Sequence, residues 1–224
     1  MNLWVVIAAY NEEKKIFEVV SNLKKDSYKN IIVVDDGSKD KTFEQASVSK
    51  AKVLRHIINR GQGAALKTGI DFALENKADI IVTFDADGQH RVEDIPKLVQ
   101  PILNNRVDVT LGSRFLNNDS NVPLIRKVFL KGGALIFRLF YGIKLTDSHN
   151  GFRALSRVAA QKINITQDRM EHASEIVEEI TKQKLSYVEI PVNIKYTDYS
   201  LQHGQKNSNA FKILFKMIFH RLVK

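Results

Sequence analysis

Residues 79–94, DIIVTFDADGQHRVED, constrain the fold more than any other stretch of this chain. Residues 80–84 are apolar and mostly β-branched, too few for a helix, and they give way abruptly to polar ones. That pattern predicts a buried strand. Asp85 and Asp87 follow, with Ala86 between them. If the extended backbone continues through them, side chains i and i+2 point the same way and both carboxylates face one point. Two carboxylates held that close repel unless a cation lies between them. The oxygen-rich set Asp85, Asp87 and Gln89 suits a hard ion, Mg²⁺ or Mn²⁺, of the kind that shares its coordination with substrate phosphates.

The same pattern of strand and polar loop recurs on either side. Residues 3–9 are a near-continuous apolar run, expected as a central parallel strand, and end at Tyr10-Asn11-Glu12-Glu13. Ile16, Val19, Val20 and Leu23 then keep helical spacing. Residues 30–34 form the next strand and end at Asp35-Asp36-Gly37-Ser38; Asp40 is placed to cap a short helix holding Phe43 and Ala46. A third strand over 52–58 ends at Asn59-Arg60-Gly61-Gln62-Gly63, ahead of a helix over 64–74. After the strand at 79–84 comes a helix over 93–103, whose limits Pro96 and Pro101 disturb. A fifth strand over 107–111 ends at Gly112-Ser113-Arg114. This alternation predicts an α/β fold, a doubly wound and mostly parallel sheet with flanking helices. Such sheets bind ligands outside the carboxyl ends of their strands, so these polar loops are expected to line one crevice.

Composition allows this and narrows the partners. The 224 residues suffice for one substantial domain, and 44% hydrophobic with 26% charged residues is ordinary for a folded core. There is no cysteine, which excludes disulfides and thiolate chemistry. The opening MNLWVVIAAYNEE has no basic region ahead of its apolar run and turns acidic early, so it reads as a strand rather than a signal peptide. No uncharged apolar run approaches the ~18 residues of a membrane span. The net charge of +9 is unevenly placed: residues 114–157 hold eight Lys/Arg against two Asp/Glu, residues 195–224 six against one, and the rest 20 against 22. Local excess of this kind points to an anionic partner: phosphates, a membrane surface or nucleic acid. Nucleic acid fits worst, because the basic segments carry no RNA-binding motif with interleaved aromatics and the acidic strand ends would repel a phosphate backbone.

Six motifs in order carry a resemblance: Ala9-Tyr10-Asn11-Glu12, Val34-Asp35-Asp36-Gly37-Ser38, Asn59-Arg60-Gly61-Gln62-Gly63-Ala64-Ala65, Asp85-Ala86-Asp87-Gly88-Gln89-His90, Gly112-Ser113-Arg114 and Thr146-Asp147-Ser148-His149-Asn150-Gly151-Phe152-Arg153. Over residues 3–206 the chain resembles family 2 glycosyltransferases, and within them the dolichyl- and polyprenyl-phosphate sugar synthases. The resemblance implies a GT-A fold, a Rossmann-like nucleotide-diphospho-sugar transferase domain over 1–206. It further implies a UDP- or GDP-linked sugar donor, a divalent metal, a polyprenyl phosphate acceptor and inversion at the anomeric carbon. By position, Tyr10, Glu12 and Asp36 resemble the base and ribose contacts, and Arg60 and Gln62 the loop over the donor. Asp85, Asp87 and Gln89 resemble the metal and pyrophosphate set. Arg114 resembles an acceptor-phosphate contact, with Arg126, Lys127 or Lys131 as a second positive charge. Lys206, in His203-Gly204-Gln205-Lys206, resembles a clamp on the diphosphate. Two positions depart from the pattern: Lys195 is the nearest substitute for an expected arginine, and Asn150 stands in place of a small hydroxyl residue.

Other residues leave alternatives open. A lipid phosphate acceptor is ionised at neutral pH and needs only positioning, whereas a saccharide hydroxyl needs a general base, for which Glu171 and Glu175 are candidates. His90 either binds metal or donor, or closes the turn as a structural residue; His149, His172 and His203 lack zinc-ligand spacing. Residues 122–145 are apolar but interrupted by Arg126, Lys127, Lys131, Arg138 and Lys144, which suits helices lying on a bilayer surface rather than crossing it. In residues 209–224, Lys212, Lys216, His220 and Lys224 recur every four residues, and Phe211, Leu214, Phe215, Ile218 and Leu222 form an apolar stripe. That terminal helix docks on its own domain, on a second subunit of a homo-oligomer, or on an anionic membrane. The expected location is cytoplasmic, at the inner face of the cell membrane.

Overall fold

The computed structural model describes residues 1–116, 142–147 and 150–195. Arg126, Lys127, Lys131, Lys206, most of the segment 122–145 and all of 209–224 lie outside them. Among the described residues, β1 (Leu3–Ala9), β2 (Asn30–Asp35), β3 (Lys52–Arg55), β4 (Ile80–Asp85), β5 (Val109–Ser113), β6 (Arg153–Ser156) and β7 (Tyr187–Pro191) form one sheet in the order β3-β2-β1-β4-β6-β5-β7. All neighbours pair in parallel except β6, which runs antiparallel between β4 and β5. The mostly parallel α/β sheet read from the sequence is therefore present. The antiparallel insertion is an addition to that reading.

Strand alternation divides the core into two layers. Trp4, Val6, Ile32, Val34 and Ile81 face α3 (Gln62–Glu75), α5 (Arg157–Lys162) and α6 (His172–Lys182), while Val5, Ile7, Ile31, Val33, Ile80 and Val82 face α1 (Ile16–Lys25), α2 (Thr42–Val48) and α4 (Ile95–Leu103). Both faces of the central strands are covered, which is why they read as unbroken apolar runs. The expected stripe of α1 is the buried one: Ile16, Val19, Val20 and Leu23.

Several boundaries differ from expectation for local reasons. The third strand stops at Arg55 rather than 58, because the His56 ring turns back onto Asp36 and Ile57 and Ile58 stand out into solvent. The fifth strand begins at Val109 and runs on to Ser113, since its pairing with β7 carries through Ser113 and Pro191. Ahead of α4, residues 92–94 form a 3₁₀ turn. Pro96 falls in the first turn of that helix, where a missing N–H costs nothing. Asp40 stands two residues before α2, and its Oδ1 accepts from the Thr42 amide at 3.0 Å and the Thr42 hydroxyl at 2.5 Å.

Candidate active site

The loops at the carboxyl ends of β1 to β5 meet on one edge of the sheet. Because β6 runs the other way, its beginning reaches that same edge, and residues 146–153 join the crevice. Asp85 ends β4. Asp87, however, is not extended; residues 86 and 87 form a turn. The two carboxylates are thus brought into each other's field by a turn, not by strand alternation as the sequence suggested. Gly88, at φ 75°, completes it, and the Gln89 amide donates to Asp87 Oδ1 at 2.9 Å.

Asp85 has close neighbours on three sides, and its side chain stays 30% exposed toward the crevice. Gln62 Nε2 donates to its Oδ1 at 3.3 Å, and His90 Nε2 lies 2.9 Å from its Oδ2. Gly151 backs onto it so closely that a Cβ there would stand 2.8 Å from Oδ1. Burial pushes the Asp85 carboxyl up, but His90, His172 and Arg114 together outweigh burial and hold it below the usual carboxylate range. Burial, and then the charge of Asp85, push the Asp87 carboxyl up to about 6; the Gln89 amide and His90 pull the other way but do not prevail. Such a pair is short of positive charge. Among the described residues no cluster of three or more His, Asp or Glu side chains could hold a metal by itself. Two carboxylates, with Gln89 beside them, do fit a divalent ion that draws its remaining ligands from water and substrate phosphates.

His90 is built into this turn. Its ring stacks on Phe152 at 4.6 Å and meets Phe84 edge-on at 5.3 Å, and its backbone bridges to Ile194. Beside the carboxylates lie two buried arginines, each held by acceptors from the loop at 146–153 or from α6. Arg114 is clamped by Asp147, with Nε 2.6 Å from Oδ2, and the Arg114 amide also donates to Oδ2 at 3.2 Å. Asp147 is held in turn by Glu189 on β7, whose carboxylate accepts from the amides of Thr146 and Asp147 at 2.9 and 3.0 Å. Arg153 donates through Nε to Asn150 O at 3.0 Å and through Nη2 to Ala173 O at 3.1 Å. Burial lowers its pKa to about 10 against the pull of Asp147 and Asp85. His172, at the start of α6, is pushed down to about 4 by burial and is neutral at physiological pH.

On the other flank, Tyr10 is 41% exposed at the end of β1. The Glu12 amide donates to Thr42 Oγ1 at 2.7 Å, tying the loop after β1 to the one after β2. Asp36, given a ribose role by the resemblance, is buried and takes three donors: His56 Nδ1 at 2.7 Å, the Arg60 amide at 3.0 Å and the Gly61 amide at 2.6 Å. It therefore clamps the loop entering α3. The Arg60 guanidinium pairs with Asp168 at 3.3 Å on the surface. Of the two candidate bases, Glu175 is committed to the amides of Thr166 and Gln167, at 3.0 and 2.9 Å. Sequence reasoning gave no role to His56 or Glu189, quoted Arg153 only as the last residue of a motif, and weighed His172 only as a zinc ligand. An arginine inside the otherwise apolar run FRAL was the one available signal.

Comparison with known proteins agrees with this arrangement. The family described as Glycosyl transferase family 2 matches residues 4–163. An uncharacterized protein of Methanocaldococcus jannaschii is 46% identical, over 98% of this chain and 92% of its own length. The UDP-N-acetylglucosamine–dolichyl-phosphate N-acetylglucosaminyltransferase of Methanococcus voltae is 39% identical, over 99% of this chain and 97% of its own. Among solved structures, glucosyl-3-phosphoglycerate synthase of Mycobacterium tuberculosis, in complex with Mn²⁺ and UDP-glucose, superposes with a TM-score of 0.74 at 18% identity, covering 97% of this chain and 76% of the other. The sheet with its flanking helices is the GT-A fold, and the chain belongs to glycosyl transferase family 2 and is a glycosyltransferase.

Proposed function

We propose that this enzyme transfers a sugar from a nucleotide-diphosphate sugar to a polyprenyl phosphate, with inversion, at the surface of a membrane. The observation that carries the reading is the meeting of two opposite fields in one crevice. The carboxylates of Asp85 and Asp87 crowd together at the end of β4, and the buried Arg114 and Arg153 lie within the field of Asp85. The relative from Methanococcus voltae, named for transfer from a UDP-sugar to dolichyl phosphate, supports the same substrates.

Asp85 and Asp87, with Gln89, would hold Mg²⁺ or Mn²⁺. When bound, the ion supplies Lewis-acid stabilisation of the departing diphosphate. Gln62 and the clamped loop at 60–61 orient the donor over Asp85. An acceptor phosphate is already ionised at neutral pH, so the chain needs to place it rather than deprotonate it. Arg114, together with Arg126, Lys127 or Lys131, does this. The phosphate oxygen attacks the anomeric carbon from the face opposite the leaving group. The new C–O bond forms as the bond to the nucleoside diphosphate breaks, and Lys206 offsets the charge released.

Among the described residues no helix is long and apolar enough to cross a membrane. The basic, amphipathic sequences at 122–145 and 209–224 support peripheral attachment, at the cytoplasmic face where anionic lipids attract Lys and Arg by about 1 kcal/mol each. Purified protein with Mg²⁺ or Mn²⁺ is to be given UDP-N-acetylglucosamine, UDP-glucose and GDP-mannose, each with polyprenyl phosphate or with neutral polyprenol. Transfer to the phosphate alone is expected, together with pelleting on anionic vesicles that high salt reverses. Equal turnover on the neutral alcohol overturns the mechanism.

A further inference from the structure

We infer that His56 is a positioning residue for the loop that receives the donor, which rests on the proposed reading of the crevice as a nucleotide-sugar site. His56 does not line the crevice. Its ring sits between two elements that do. Nδ1 is 2.7 Å from Asp36 Oδ1, and Nε2 is 3.0 Å from Thr68 Oγ1 within α3. The Thr68 hydroxyl also lies 3.0 Å from Ala64 O, one turn back along that helix. The imidazole thus joins the end of β2 to the first turns of α3 by a fixed span.

What that span fixes is the Asp36 carboxylate. A carboxylate free to rotate about its terminal bond could serve either the Arg60 or the Gly61 amide well. Asp36 serves both, Oδ1 at 3.0 Å and Oδ2 at 2.6 Å, because His56 pins its plane. The loop has little freedom elsewhere. Gly61 has φ 120°, and a Cβ on it would stand 2.4 Å from Asp168 O; one on Gly37 would stand 2.6 Å from Ile58 C. The next residue, Gln62, reaches Asp85 at 3.3 Å. The chain Thr68, His56, Asp36, loop amides, Gln62, Asp85 therefore runs from the helix interior to the acidic centre, and His56 is its pivot. The sequence hid this, because residues 52–58 read as a strand in which His56 had no role. The turn of the ring toward Asp36 is what ends that strand and leaves Ile57 fully exposed.

The test uses the full chain with His56→Phe, which keeps the ring and removes both hydrogen-bonding nitrogens, and His56→Asn, whose amide nitrogen replaces Nδ1. Amide hydrogen exchange over residues 57–64 is measured without ligand, and the Kd of UDP and of GDP with Mn²⁺ by calorimetry. In His56→Phe, exchange at 60–61 is expected to rise at least about tenfold while β1 and β4 stay protected, and the Kd of the nucleotide that wild type binds to rise about tenfold. At saturating donor, kcat should change less than about twofold, as expected for a lost binding contribution. His56→Asn should restore both exchange and Kd to within about threefold, the spread of one neutral hydrogen bond. Wild-type protection of the loop in folded His56→Phe overturns the inference, as does equal loss in both variants or a fall in kcat at unchanged Kd. If His56→Phe does not fold, His56→Asn decides: near wild-type exchange supports the pivot, and a loosened loop in a stably folded protein overturns it. Loosening in His56→Phe alone, with no binding of either nucleotide to wild type, would uphold the positioning role and reject the donor reading instead.

Discussion

Gly151 lies so close against Asp85 that a Cβ would come within 2.8 Å of Oδ1 and 3.1 Å of Oδ2. The backbone entering the antiparallel strand is thereby the floor of the acidic centre, and the glycine leaves the Asp85 carboxylate in its place. Gly151→Ala is expected to fold with a Tm within about 3 °C of wild type, since the clash falls on a side-chain tip and the alanine reduces unfolded-state entropy. The displaced carboxylate should weaken Mn²⁺-dependent nucleotide binding by about tenfold, a loss of ~1.4 kcal/mol. Calorimetry beside a thermal melt checks both, and unchanged affinity would mean that Asp85 does not hold the ion.

Asp87 gives a pH-dependent prediction. Its carboxyl rises from 3.8 to about 6, so between those values the metal-free native chain binds more protons than the unfolded one. Stability from this group therefore falls as pH rises through that window. Asp87→Asn removes the effect, and without metal it should be more stable than wild type at pH 7 by on the order of 2 kcal/mol, with the gain vanishing near pH 4. Adding Mn²⁺ should stabilise wild type and not the variant. His172 has the opposite slope. Held neutral down to about 4 by burial, it binds fewer protons than in the unfolded chain, and its contribution is lost as pH falls from 6.5. With Asp87 replaced, that slope is no longer offset. Denaturant titrations from pH 4 to 7.5 in EDTA measure it.

Removing one member of the buried Arg114–Asp147 pair strands the other. Arg114→Met should cost about 3–5 kcal/mol, and adding Asp147→Asn should recover at least about 1 kcal/mol of it. Additive losses in urea denaturation would show that the pair is not coupled. The double variant is also the better one in which to assay acceptor binding. There, a KM for lipid phosphate that rises more than the KM for donor would place Arg114 at the acceptor.

The Arg60–Asp168 pair is the opposite case, with both side chains about half exposed. Asp168→Asn should change stability by less than about 1 kcal/mol, as solvent and salt screen such pairs. The contact that matters there is the backbone one, from the Ala64 amide to Asp168 O at 3.0 Å, which the substitution keeps. A loss beyond that limit would assign the side chain a role the geometry does not give it.

Much of the fold could be read in the chain because central parallel strands, covered on both faces, leave apolar runs that end sharply. The loops at 35–38, 59–63 and 85–89 follow from that, and so do the candidate residues on them. The turn that unites Asp85 with Asp87 did not, since alternation along a strand predicts the same outcome by a different geometry. β6 escaped because four residues, RALS, carry too little periodicity to mark a strand. Its direction is set by partners some 45 and 70 residues away. The roles of Arg153 and His172 were missed with it: what makes these residues notable is burial beneath the crevice, a property of packing that local spacing does not encode. Glu189 lies on a strand whose residues are all half-buried, so its grip on the loop at 146–147 left no mark in the hydrophobic pattern.

The insertion of β6 also sets the order in which the chain can assemble during synthesis. β1, β2 and β3 pair with neighbours close in sequence, and β4 then pairs with β1 from Leu3 against Ile80, so the acidic half of the crevice can form once Asp87 has emerged. Until residues 153–156 arrive, β4 presents an open edge, the kind that recruits strands from other chains. β5 cannot close it, because its place is one strand further out. Nascent or truncated chains ending before β6 should therefore be prone to aggregation.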